Sequence, residues 1–247
     1  MKHLFCLWVV AGLGAWAGPV EFGMAELTGA LAARGIGRSQ FPLAAEVVPG
    51  PPESYQIAPG RITGGDRRGL MYGLLEAAEQ IREHGQLRAS QGAPVTPIRG
   101  IRYFLHNRDL ESDWYYSREY WQEFFAMLAR NRFNRFNLVF AHQTNYLAPP
   151  YPFWFLLPEF PQIRVPGLTD AERERNLEML RWISQTAEDH AIDFTLGIWE
   201  HNIQPNMNAR MQAERLRMRL LISSSICAPE SDGGRLKREA ELGNIKI

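Results

Sequence analysis

Three histidines stand at comparable places in this chain, each just past a run of apolar residues. His106 opens His106-Asn107-Arg108-Asp109, His142 opens His142-Gln143-Thr144-Asn145, and His201 lies in Glu200-His201-Asn202, directly after Trp199. Imidazoles, planar amides and carboxylates are donors and acceptors of fixed geometry, suited to the hydroxyls of a sugar. The face of Trp199 adds a plane on which a sugar ring can stack. His106, Asn107, His142, Trp199, Glu200 and His201 are therefore the candidate binding residues. The competing reading is that polar residues follow apolar runs because loops are wetted. That reading predicts Gly, Ser and Asp more readily than three histidines at equivalent places.

Two other chemistries can be weighed on the same residues. A three-histidine zinc site needs the ring nitrogens to converge within ~2.1 Å of one ion. No HxH or HExxH spacing supports that, so no metal is expected. Cleavage of a glycosidic bond needs two carboxyl groups at a controlled separation. Asp109, Glu111 and Glu200 are the carboxylates near these places, with Glu200 best positioned. A lone Glu there serves equally well to hold a hydroxyl or pair with an Arg, so no catalytic residue is assigned.

These residues have to be positioned by regular elements, and the spacing of apolar residues supplies them. From Pro97 the pattern reads strand, helix, strand, helix, strand: Ile98 to Leu105, then a helix capped by Ser117 with Trp121, Phe124, Phe125 and Leu128 on one face, then Asn137 to Ala141. A second helix opens on the capping box Thr169-Asp170-Ala171-Glu172 and buries Leu177, Leu180, Ile183 and Ala187, and Ile192 to Trp199 forms the third strand. Apolar strands alternating with amphipathic helices predict a parallel sheet covered by helices, as an α/β barrel or a doubly wound sheet. In a barrel, the C-terminal strand ends meet the substrate, and the three histidine clusters sit there. The long connection Gln143 to Leu168, rich in Pro and aromatics, is expected to be functional.

Before Pro97 the chain reads differently. Met24 to Arg34 predicts a short helix closed by Gly35, and Ser54 to Ala58 and Arg61 to Thr63 predict strands joined at Pro59-Gly60. Leu70 to His84 predicts a helix whose stripe is Met71, Leu74, Leu75, Ala78 and Ile81, with Gly85 at its C′ position. Between strand and helix lies Gly64-Gly65-Asp66-Arg67-Arg68-Gly69, which lacks the GxGxxG and GK[ST] patterns and reads as a tight turn, not a phosphate loop. The polar stretch Gln86 to Thr96 is the expected domain boundary.

Composition narrows the partners. Lys+Arg and Asp+Glu both number 27, so the chain lacks the broad positive field of a nucleic-acid binder. Lys2 and His3 precede an apolar run ending in Ala15-Trp16-Ala17, the three parts of a secretory signal; the run is too short to span a bilayer. A cleaved signal over 1–17 predicts a secreted or periplasmic protein without a membrane anchor after cleavage. Cys6 falls inside it and Cys227 near the other end, so packing and not disulfides must stabilise the body. All aromatic residues lie at or before Trp199, and the three lysines are Lys2, Lys237 and Lys246. That shift marks residues 205–247 as an atypical tail, either flexible or out of frame.

The run Arg61 to Glu76 carries a family resemblance. Its I-x-G-x-D-x-x-G-x-x-Y-G pattern, from Ile62 to Gly73, resembles the end of the small α+β domain that precedes the barrel in β-N-acetylhexosaminidases and α-glucuronidases. Pro97-Ile98-Arg99-Gly100 and Leu128-Ala129-Arg130-Asn131-Arg132-Phe133-Asn134 are similar to the segments opening their first and second barrel strands. The resemblance implies an α/β chain: a small α+β domain over 18–95, then the first strand-helix units of an incomplete (β/α)8 barrel over 96–204. The stretch from Pro97 onward is shorter than the ~200 residues a complete barrel needs. The resemblance also implies a carbohydrate substrate, glycoside hydrolysis of exported polysaccharide or oligosaccharide, and no organic cofactor. In those families the catalytic acid and base sit on later strands, which have no counterpart here. The alternative is a catalytically incomplete fragment that at most binds carbohydrate.

Overall fold

In a computed structural model, which describes residues 18–105, 108–141, 151–159, 161–162, 164–165 and 167–199, the fold is mixed α/β. The expected signal over 1–17 and the tail over 205–247 lie outside the described residues. No helix among the described residues is long and apolar enough to cross a membrane. The chain divides into two compact units. Of the described residues, one unit holds those up to 101 with 119–136 and 185–194, and the other holds 102–118, 137–184 and those from 195 on.

In the first unit, helix α1 (Pro19–Ala33) begins with Pro at its first turn, where the missing N–H leaves no bond unmade. It starts earlier than its periodicity suggests because Gly23 interrupts the apolar face. That glycine is buried, and a Cβ there would lie 3.0 Å from Cβ of Leu74. Strands β1 (Ala44–Val47), β2 (Tyr55–Ala58) and β3 (Arg61–Gly64), helix α2 (Arg67–His84) and strand β4 (Ser90–Gly92) follow. The sheet order is β1-β3-β2-β4, with β1 parallel to β3 and both other pairs antiparallel. Pro59 and Gly60 (φ 71°) make the β2–β3 turn, which sets Ile57 opposite Ile62. Both isoleucines are buried, in one core with Leu27 and Leu31 of α1 and Leu74 and Ile81 of α2.

Helix α2 ends as expected but begins three residues before the Leu70 that its apolar stripe suggests, because a capping residue sets its start. Asp66 caps it, Oδ1 accepting from the Gly69 N–H at 2.7 Å. Gly85 closes it at φ 72°, its N–H reaching the Ile81 carbonyl at 2.9 Å. The Gly64–Gly69 run is a tight strand-to-helix turn, as its sequence suggests. A Cβ on Gly64 would come within 2.0 Å of the Leu70 nitrogen, and one on Gly69 within 2.2 Å of the Ser54 carbonyl oxygen. Two strands have no counterpart in the sequence reading. β1 is largely exposed with no clean alternation, and β4 is Ser-Gln-Gly, recruited by backbone bonds to β2 and not by apolar residues.

The remaining elements are β5 (Gly100–Leu105), α3 (Arg108–Tyr115), α4 (Arg118–Arg130), β6 (Arg135–Ala141), α5 (Asp170–Asp189) and β7 (Asp193–Trp199), with short 3-10 turns at Arg38–Gln40 and Tyr151–Phe153. The three strands form one sheet in the order β5-β6-β7. Their starts are neighbours: the Asn134 N–H donates to the Arg99 carbonyl and the Asp193 N–H to the Asn134 carbonyl, both at 2.9 Å. Further along, Gly197 packs against Val139. The strands therefore run parallel, as the alternation with helices predicts. In α4, Trp121, Phe124 and Phe125 pack on Phe136 of β6 with ring centroids 5.8, 5.3 and 5.4 Å away. The capping box of α5 forms: Thr169 N–H donates to Glu172 Oε2 at 2.9 Å, and Glu172 N–H to Thr169 Oγ1 at 3.2 Å. Leu180, Ile183 and Ala187 are fully buried as expected, whereas Leu177 is half-buried and Met179 takes the deeper place.

Candidate functional site

Of the residues proposed to bind a ligand, His106, Asn107, His142, Glu200 and His201 lie outside the described residues. Trp199 is the last residue of β7, at a strand end as its position in the sequence requires. Asp109 and Glu111 both fall on α3, a helix where the polar residues after the strand suggest a loop. Among the described residues no group of three His, Cys, Asp or Glu side chains is placed to hold a metal ion.

The second unit contains a cavity next to the last residue of β5. It is partly open to solvent and is lined by Leu105, Glu111, Tyr115, Tyr116, Trp154 and Asn176 together with Ser112 and Phe153. The wall is a hydrogen-bonded aromatic cluster. Trp154 Nε1 donates to the Tyr115 hydroxyl at 3.0 Å, which donates in turn to the Asn176 carbonyl at 3.3 Å. Tyr116 donates to Asn176 Oδ1, and Asn176 Nδ2 donates to the Phe153 carbonyl at 2.8 Å. The Arg175 guanidinium stands 4.1 Å from the centre of the Tyr116 ring. Burial pushes the Tyr115 phenol well above its ordinary value, so it works as a neutral hydrogen-bond group. Such a cavity offers mainly apolar and aromatic surface, with the hydroxyls of Ser112, Tyr115 and Tyr116 and the carboxylate of Glu111 among its lining groups. The aromatic run Tyr151 to Phe155 belongs to the long connection Gln143 to Leu168, and its partners on α3 and α5 left no signal in the sequence.

A second polar cluster lies in the first unit, centred on Glu53. Its carboxylate accepts from Arg68 Nη1 at 3.0 Å, from Asn134 Nδ2 at 2.8 Å and from Arg99. Burial raises the Glu53 carboxyl, but the hydrogen bonds from Arg99, Asn134 and Arg68 outweigh it and hold the group below its ordinary value. Arg68 also pairs with Asp193 at 2.6 Å. Donors and acceptors here satisfy one another, so this cluster builds structure.

In fold the chain is similar to a solved glycoside hydrolase. Among solved structures the chain is similar to a GH138 enzyme targeting pectin rhamnogalacturonan II, with a TM-score of 0.61 and 17% identity over 75% of this chain. The chain spans 24% of the length of that enzyme. It also matches a glycoside hydrolase family 20 β-N-acetylglucosaminidase at a TM-score of 0.45 and 17% identity, over 70% of this chain and 36% of that one. No protein-family model matches the chain, and neither does any curated protein sequence.

Proposed function

We propose that the chain is the front part of an exported glycoside hydrolase-like protein that acts on polysaccharide or oligosaccharide, of α-glucuronidase or β-N-acetylhexosaminidase type. The likeness of fold to the GH138 enzyme over 75% of the chain carries this reading. In the proposal, β5, β6 and β7 are the first strands of a (β/α)8 barrel. His106, Asn107, His142, Trp199, Glu200 and His201 then line the sugar site at the strand ends. The parallel order β5-β6-β7 and the cavity beside the end of β5 support that placement. Export by a cleaved signal over 1–17 would bring the protein to its polymer, and no organic cofactor is needed.

The alternative is binding of carbohydrate without turnover by this chain. The test is titration of the purified chain, followed by tryptophan fluorescence, with oligomers of N-acetylglucosamine, glucuronic acid-bearing oligosaccharides and rhamnogalacturonan II fragments. Saturable binding to one of them, weakened at least about tenfold by Trp199→Ala or His142→Ala, is expected. Absence of saturable binding to every member of the panel would overturn the proposal. Turnover of aryl glycosides in the same samples separates the hydrolase from the binding-only reading.

A further inference from the structure

Three non-glycine residues among those described have a left-handed backbone: Glu53 (φ 59°), Arg132 (φ 62°) and Ala191 (φ 57°). They are far apart in sequence, yet the same cluster holds all three. Arg132 and Ala191 occupy equivalent positions, each the second residue beyond a helix, α4 and α5 respectively. At the first, the Arg132 and Phe133 N–H groups donate to the carbonyls of Ala129 and Leu128, each at 3.0 Å. At the second, the Ala191 and Ile192 N–H groups donate to Glu188 and Ala187 at 2.9 and 2.8 Å. Both helices thus end in the Schellman arrangement, whose left-handed residue is usually glycine because a Cβ there is crowded.

What stands in for glycine's freedom is a pair of arginines. Arg99 Nε donates to the Arg132 carbonyl at 2.6 Å, and Arg68 Nε donates to the Ala191 carbonyl at 2.7 Å. The far ends of both guanidiniums meet on Glu53, Arg68 on Oε1 and Arg99 on Oε2. Glu53 is fixed in turn, its N–H donating to Asp66 Oδ2 at 3.0 Å. β6 begins three residues after Arg132 and β7 two after Ala191. The links continue into those starts: Arg68 Nη2 reaches Asp193 at 2.6 Å, and Asn134 bridges Glu53 and the Pro97 carbonyl, each at 2.8 Å.

We infer that Arg68 and Arg99, sharing the Glu53 carboxylate, form a clamp that imposes the left-handed turns at Ala191 and Arg132 and so fixes where β7 and β6 begin. A strained conformation persists only where its surroundings over-determine it, and here each strained carbonyl is gripped by an arginine that Glu53 anchors.

A double-mutant cycle on the full chain, followed by urea unfolding, tests it. Ala191→Gly relieves the crowding that the clamp has to overcome. Arg68→Met should therefore raise the unfolding equilibrium constant less in the Ala191→Gly chain than in the parent, by about fivefold, the size of a left-handed penalty. Arg99→Met with Arg132→Gly should behave alike. Arg82→Met, which removes a partner of Glu26 and touches neither turn, should add independently to Ala191→Gly. If Arg68→Met leaves the parent unfolded, Arg68→Lys makes the same comparison, because an ammonium keeps the charge but cannot bridge carbonyl and carboxylate as a fork does. Additivity within about twofold for both arginine–turn pairs would overturn the clamp.

Discussion

The imidazole of His190 lies against the ring of Phe22, centroid to centroid 4.5 Å with the planes tilted by 58°. Nδ1 is 2.7 Å from the Thr186 carbonyl, so it carries the proton and donates it. Nε2 has no hydrogen-bond partner among the described residues. A second proton would place a charge against phenylalanine, and burial lowers the pKa to about 4.

This relationship predicts a stability that depends on mild acid. The unfolded histidine takes up a proton near pH 6.5, but the folded one does so only near pH 4. Stability is therefore full above pH 6.5, falls as the pH drops towards 4, and levels off below it. The loss amounts to roughly 3 kcal/mol. Urea midpoints at pH 7, 5.5 and 4.5 should fall in that order for the parent chain and much less for His190→Leu. An equal slope in both chains would sink the assignment.

Glu53 should act in a lower window. Its carboxyl is held below the ordinary range, so its contribution is present above about pH 4.5 and lost as the pH falls through the folded value. Glu53→Gln leaves two arginines around a neutral amide, and a cost of about 3 kcal/mol is expected at pH 7. Chemical denaturation checks it. A loss below about 0.5 kcal/mol would mean that the arginines find water instead.

The glycines of the first unit should divide sharply. Gly69→Ala would drive a Cβ into the Ser54 carbonyl, so a loss of about 3 kcal/mol or more, or failure to fold, is expected. Gly29→Ala on the exposed face of α1 meets nothing within 4 Å and should stabilise by about 0.5–1 kcal/mol. Thermal melts of the two variants should move in opposite directions.

Tyr115→Phe removes the hydroxyl that receives the Trp154 N–H. A cost of roughly 1–3 kcal/mol is expected, along with a change in the near-ultraviolet dichroism of the buried indole. An unchanged spectrum and midpoint would show that the cluster is not a fixed wall of the cavity.

Much of the fold was legible because its elements bury one face. The stripes of α2, α4 and α5 and the apolar runs of β5, β6 and β7 carry their own periodicity, and Ser117 and Thr169 mark the starts of α4 and α5. Strand β4 was not legible, because Ser90, Gln91 and Gly92 contribute backbone bonds and almost no apolar surface. Helix α3 was hidden because Arg108 and Asp109, as polar residues after a strand, look like a loop. The role of Glu53 was invisible for another reason. It follows Gly50-Pro51-Pro52, a stretch that reads only as a turn, and its partners Arg99 and Asn134 stand 46 and 81 positions away. Pairing at that distance leaves no local pattern. His106, His142 and His201 stood out by residue type and by their equivalent places after apolar runs.

The link from Arg68 to Asp193 spans 125 positions, and it bears on the order of events during synthesis. Helix α2 and its sheet can assemble once Gly92 has left the ribosome. The Glu53 cluster must wait for the first residue of β7, roughly 6–25 s after Arg68 is made at ordinary elongation rates. Over that interval Arg68 lacks both the Ala191 carbonyl and the Asp193 carboxylate, and closure over so long a loop is intrinsically slow. The part of the chain that emerges first is thus among the last to be finished.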